Sequence, residues 1–191
     1  MFITLEGIDR SGKSTHAALL AESLGATLVR EPGGTDAGER VRALLKDPAV
    51  ELSAAAELML FSAARAQLIA EVIGARTGDV VCDRFIDSTV AYQGVARGLG
   101  VDFVENVNAL VIGECVPDLT ILLRIDPEVA AARAGDGSDR FEAEGLDFQR
   151  QVAAAYDELA VRHPDRIAVV EGEGEVDAIA ANVRDLVEAR R

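Results

Sequence analysis

Short runs of apolar residues alternate along this chain with longer segments in which apolar positions recur at helical spacing. FITLE precedes a helix-like stretch from Lys13 to Leu24, and TLVRE precedes Asp36 to Lys46 and a long segment from Ser53 to Ala75. DVVCDR, DLTILLRI and RIAVVEG follow in order, the last before an amphipathic segment ending at Arg191. Strands separated by helices predict a parallel sheet with right-handed crossovers and helices on both faces, and ligands of such sheets sit beyond the carboxyl ends of the strands. Asp126-Pro127-Glu128 supplies an N-cap, a proline at the first helical position and an acidic first turn, so a helix is expected from Pro127 to Ala134. Gly, Asp and Ser then interrupt the pattern from Ala134 to Gly145. This is read as a loop, because helical periodicity resumes from Leu146 to Val161 and no second core follows.

Composition narrows the picture. A length of 191 residues predicts one domain, residues 1–191, with a substantial core. Aromatic residues make up only 4% of the chain, so aliphatic and alanine side chains must fill the interior. A formal charge of −14 argues against a nucleic-acid polymer as partner, which would need a basic face, yet leaves room for a small phosphorylated ligand in a local basic pocket. Cys82 and Cys115 lack CxxC spacing and no paired histidines accompany them, so two buried reduced thiols are expected and no zinc site or disulfide. MFITLEG has neither the basic leader nor the length of a signal peptide, and no apolar run is long enough to span a bilayer, so the expectation is cytoplasmic.

The chemistry concentrates first at Gly7-x4-Gly12-Lys13-Ser14, which follows a strand and precedes a helix as a phosphate loop requires. Its glycines let backbone N–H groups converge on phosphate oxygens at the positive end of the helix, Lys13 can reach the outer phosphates, and Ser14 can serve a magnesium shell. ATP or GTP with magnesium is the implied ligand. A guanine-reading NKxD is absent, since the only other lysine, Lys46, lies in LLKDP. Where hydrolytic motors place a glutamate after the strand-end aspartate, DVVCDRF has Arg84 after Asp83. A cation there suits a second phosphate better than a hydrolytic water, which points to phosphoryl transfer onto a small phosphorylated acceptor. From the residues alone Asp9 can cap a loop amide, and Phe61 and Arg65, one helical turn apart, can share a cavity or divide between core and solvent.

GIDRSGKST, REPGGT (Arg30 to Thr35), FSAARAQL, DRFIDSTVAYQG, PDLTILL and the later DRFE, in this order and over most of the chain, resemble the thymidylate kinases. These are phosphate-loop nucleoside monophosphate kinases that transfer the γ-phosphoryl of ATP to dTMP, giving dTDP for dTTP synthesis. The resemblance implies a three-layer α/β phosphate-loop kinase fold, with a parallel central sheet flanked by helices and a short lid at about 134–145, and a homodimer formed through packed helices. It places ATP on Gly7, Ile8, Asp9, Arg10, Ser11, Gly12, Lys13, Ser14 and Thr15, with Arg133 against the adenine and Arg140 in the lid. It places magnesium at Ser14 and Asp83. For dTMP it implies Asp9 at the sugar 3′-hydroxyl and acceptor phosphate, Glu31 and Pro32 lining the pocket, and Arg42 and Arg84 facing the phosphate. Phe61 would stack on the thymine, Arg65 would donate to a base carbonyl, and Ser88, Thr89, Tyr92 and Gln93 would contact base and sugar, Tyr92 crowding the 2′ position. Because the lid is acidic with Arg140 its only internal cation, Arg10 takes the role of charge donor to the migrating phosphoryl, joining Asp9, Lys13 and Arg84 in catalysis. One departure is Arg124, where the family commonly has an acidic residue. Another nucleoside monophosphate or deoxynucleoside kinase, and a silent nucleotide-binding protein, remain the competing readings.

Overall fold

The computed structural model describes residues 1–133, 140–141 and 144–191. Strands β1 (Phe2–Glu6), β2 (Thr27–Arg30), β3 (Val80–Asp83), β4 (Leu119–Arg124) and β5 (Ile167–Glu171) form one sheet in the order β2-β3-β1-β4-β5, with every neighbouring pair parallel. β1, β3 and β4 are buried along almost their whole length and read as near-continuous apolar runs, as parallel strands covered on both faces do. Within a strand, alternate residues go to opposite layers. Ile3 and Leu5, with Val81, Ile121 and Leu123, pack on Ala17 and Leu20 of α1 (Lys13–Leu24) and on Ile179 and Val183 of α8 (Val176–Glu188). Phe2, Val80 and Cys82 face the other way, onto Leu68, Ile73 and Phe85, and Leu122 meets Val152 and Tyr156 of α7 (Leu146–Arg162). The result is a three-layer arrangement, with helices on both faces of a parallel sheet.

Capping chemistry sets the helix limits. Thr35 accepts from Gly38 N–H at the start of α2 (Asp36–Lys46), Ser53 accepts from Ala56 N–H at α3 (Ala54–Leu68), and Asp126 caps α6 (Pro127–Ala132), which opens on its proline as expected. The expected Ser53 to Ala75 helix is α3 continued by a π-helical turn, Ile69–Ile73. A second π-helical segment, Val90–Ala96, extends α4 (Ile86–Thr89). α5 (Val101–Ile112) has no counterpart among the expectations: it starts after Gly100 with no side-chain cap, so the usual start signal is missing. The expected lid, 134–145, lies largely outside the described residues. Cys82 and Cys115 are buried and unbridged, and no helix among the described residues is long and apolar enough to cross a membrane.

Candidate active site

The loop between β1 and α1 turns sharply because three of its residues have positive φ: Gly7 at 146°, Arg10 at 63° and Gly12 at 93°. A side chain at Gly7 would drive its Cβ to 2.6 Å from the Leu123 carbonyl, so the loop passes β4 only as glycine. α1 begins at Lys13 with no side-chain cap, leaving its first N–H groups and the positive end of its dipole available to an anion. Ile8, Ser11 and Thr15 complete the loop and first turn, Ser11 N–H donating to Ile8 O at 3.3 Å. Lys13 is buried and its Nζ donates to Ile8 O at 2.9 Å. Burial, reinforced by the nearby Arg84 cation, brings its ammonium pKa down to about 8.

Parallel pairing of β1 with β3 brings Asp83 and Arg84 alongside this loop. Ser14 Oγ donates to Asp83 Oδ2 at 2.5 Å, while Asp83 Oδ1 is buried and has no hydrogen-bond partner among the described residues. A hydroxyl and a carboxylate oxygen at one phosphate loop, with an oxygen left over, fit the hard-oxygen shell of magnesium. Arg84 adopts φ 69°. Its guanidinium meets Asp9 Oδ1 at 2.5 Å, Gly7 O at 3.1 Å, Ser88 Oγ and the Tyr92 hydroxyl at 3.2 Å, and the Tyr156 hydroxyl at 3.4 Å. Asp9 Oδ2 also accepts from Gln149 Nε2 at 3.0 Å and from Tyr92 at 3.2 Å. Burial alone would raise the Asp9 pKa; the Arg84 and Lys13 charges and these two hydrogen bonds outweigh it and hold the carboxyl at about 2.

Beyond the loop opens a cleft of about 580 Å³, within the ordinary range for a small-molecule site. Asp9, Arg10, Lys13, Ser14, Asp83 and Arg84 line its phosphate end, and Glu31, Pro32, Arg42, Phe61, Arg65, Ser88, Thr89, Tyr92 and Gln93 line the rest, Ser88 and Tyr92 reaching Arg84. Phe61 and Arg65 thus share the cavity. Arg65 is buried, and its donors are engaged by Glu31 (2.6 Å at the closest), Asn108 (2.7 Å), Phe85 O (3.0 Å) and Thr89 (3.3 Å). It shapes the pocket as a hub first. Arg42 NH1 donates to Pro32 O at 2.9 Å, pinning the REPGGT turn.

Two arginines expected at ATP divide. Arg133 stays beside the loop, donating to Arg10 O at 2.9 Å and to Gly172 O at 3.0 Å. Arg140 is held elsewhere: it lies 2.6 Å from the buried Glu57 Oε2 and donates to Leu45 O at 3.0 Å. Arg124 is accounted for by a partner on the next strand, Glu171, opposite it in register, with Asp157 at 3.7 Å.

Several residues of the site carry little or no signal in the sequence. Glu6, fully buried at the end of β1, accepts from Phe85 N–H at 2.7 Å, Ser88 Oγ at 2.6 Å and the Tyr156 hydroxyl at 2.8 Å. Burial, with the nearby Asp87, raises its pKa. A carboxylate inside an otherwise apolar strand was the available signal. Gln149 and Tyr156, two turns apart on α7, gave none, since helical periodicity marks Tyr156 simply as core. Phe141 packs against Phe61 and Tyr92 at ring-centroid distances of 5.9 and 6.3 Å and lines the cleft.

A phosphate loop with an adjoining polar and aromatic cleft, at the carboxyl edge of a parallel sheet, defines a phosphate-loop kinase acting on a small phosphorylated acceptor. The family profile described as Thymidylate kinase matches residues 5–183. The chain is 43% identical to a thymidylate kinase of Solidesulfovibrio magneticus, covering 98% of each chain, and 41% identical to that of Deinococcus radiodurans, covering 100% of this chain and 97% of the other. It also superposes on the crystal structure of thymidylate kinase from Ehrlichia chaffeensis with a TM-score of 0.82, at 33% identity and 98% coverage of both chains. The chain belongs to the thymidylate kinase family.

Proposed function

We propose that this chain transfers the γ-phosphoryl of MgATP to dTMP, giving dTDP and ADP, by direct in-line displacement. One observation carries the reading: the Asp9–Arg84 pair lines one cleft with the phosphate-loop Lys13 and with aromatic Phe61 and Tyr92, so a nucleotide's own phosphate there would stand beside the donor's. A 5′-phosphate oxygen of dTMP attacks the γ-phosphorus, the bond to the bridging β–γ oxygen breaks, and ADP leaves. That oxygen is already ionised at neutral pH, so no general base is required. Arg84 offers a planar fork to the acceptor phosphate and Arg42 supports it; Asp9 holds the sugar 3′-hydroxyl and keeps Arg84 in place. Lys13 and Arg10 offset the charge that spreads over the migrating group. Magnesium, when bound, would be held by Ser14 and Asp83 and would neutralise the outer phosphates. Phe61 stacks on the base and Tyr92 stands against the 2′ position, favouring deoxyribose.

Residues 1–191 act as one kinase domain in the cytoplasm, paired as a homodimer through the exposed face of α3, where Ala55, Met59, Ala63 and Ala66 follow one another at helical spacing. ADP release measured with dTMP, dUMP, CMP, UMP, AMP and thymidine is the test. Turnover greatest with dTMP is expected; turnover with thymidine but not dTMP rejects the assignment.

A further inference from the structure

Glu57, Phe61 and Arg65 stand four residues apart along α3, so they form one stripe beside the cleft. Glu57 is only 1% exposed, yet it meets two cations and an amide. Its Oε1 accepts from Gln93 Nε2 at 2.7 Å and from Arg97 Nε at 3.3 Å, and its Oε2 lies 2.6 Å from Arg140 NH1. Arg97 is held in turn by Glu144 and lies over the Phe148 ring, 4.9 Å from its centroid. A carboxylate in ion pairs only accepts hydrogen bonds, whereas a primary amide has one donating and one accepting end. Glu57 therefore dictates which end of Gln93 it takes. The amide nitrogen turns to Glu57, and Oε1 becomes the end of Gln93 offered to the cleft it lines. Gln93 is itself 1% exposed, so an exchange of ends would leave two oxygens facing each other out of water's reach.

We propose that Glu57 is a specificity-determining positioning residue: by locking the Gln93 amide it presents a hydrogen-bond acceptor that selects a pyrimidine bearing N–H at ring position 3, as thymine and uracil do, against cytosine, whose N3 is a bare lone pair. The inference rests on the dTMP reading and extends it from the base's neighbours to the group that orients them. A site built around one hydrogen bond rejects a base of opposite polarity strongly, because two buried acceptors are then left facing each other.

The test compares kcat and KM for dTMP and dCMP, with saturating MgATP, in the parent, in Glu57→Gln and in the exchange Glu57→Gln with Gln93→Glu. A glutamine at 57 can donate as well as accept, so Gln93 is free to present either end. The expected result is a fall of about tenfold or more in the dTMP-to-dCMP ratio of kcat/KM, carried by KM for dTMP with kcat changed far less. The exchange restores one donor–acceptor bond and again places a carboxyl oxygen toward the cleft, so most of the preference should return. A ratio unchanged in Glu57→Gln, or equal losses for both acceptors, overturns the positioning role. If Glu57→Gln yields no folded protein by thermal unfolding, the exchange decides: retained preference supports the proposal, and lost preference or a second failure to fold overturns it. A parent that uses neither nucleotide refutes the dTMP reading instead.

Discussion

Arg84 holds φ 69°, a conformation rarely adopted by residues with side chains, and it is kept there by partners on every side of its guanidinium. A lysine at this position keeps the charge but loses the fork, so Arg84→Lys should raise KM for dTMP by about tenfold or more in steady-state kinetics. Arg10 also has positive φ, and it lies at the phosphate end of the cleft. Its removal in Arg10→Ala should lower kcat by about two to four orders of magnitude while dTMP affinity, measured by calorimetry, stays within about threefold. Equal turnover in variant and parent would remove the transition-state role. Lys13 gives a pH signature. Its pKa falls from 10.5 to about 8 on folding, so the ammonium is lost as pH rises through about 8, and kcat/KM for ATP should decline there. Stability should move oppositely: between about 8 and 10.5 the unfolded chain binds the additional proton, so unfolding free energy contributed by this group rises with pH. A denaturation series over that range reads the sign.

At the level of elements, the site is assembled by the carboxyl ends of β1, β2 and β3 and by helices, some of which arrive much later in the chain. β1 ends in Glu6, whose buried carboxylate receives the N-terminus of α4 through Phe85 and Ser88 and the hydroxyl of Tyr156 from α7. Tyr156 also touches Ser88 Oγ at 2.9 Å, so one hydroxyl ties α7 to the strand and to the residue that steadies Arg84. Tyr156→Phe leaves this buried carboxylate short of a donor and should cost roughly 1–3 kcal/mol in chemical denaturation, with a moderate rise in KM for dTMP. The caps of α2, α3 and α6 were readable because a cap involves residues only two or three positions apart. α5 escaped for the converse reason: its start carries no cap, and what holds it is packing, with Val104 in the core and Asn108 bonded to Arg65 and Ile86 O.

On the scale of the whole molecule, α3 serves two faces at once, one lining the cleft with Phe61 and Arg65 and the other exposing small apolar residues around Met59, which is 48% accessible. If that second face joins two copies, Met59→Glu should shift the protein from dimer to monomer in sedimentation velocity while leaving thermal unfolding of the chain little changed; a parent that sediments as a monomer refutes the pairing. The residues themselves determined the alternation of strands and helices, the phosphate loop and the order of the motifs, since each depends on neighbours close in sequence. Only the tertiary structure decided who meets whom inside the cleft. Asp9 is bonded to Arg84, Tyr92 and Gln149, which lie 75, 83 and 140 residues away, and Arg140 is paired with Glu57. Parallel crossovers bring all the strand ends to one edge whatever the side chains are. Which buried charge finds which partner is then settled by burial, because a charge removed from water must take the nearest group that can satisfy it.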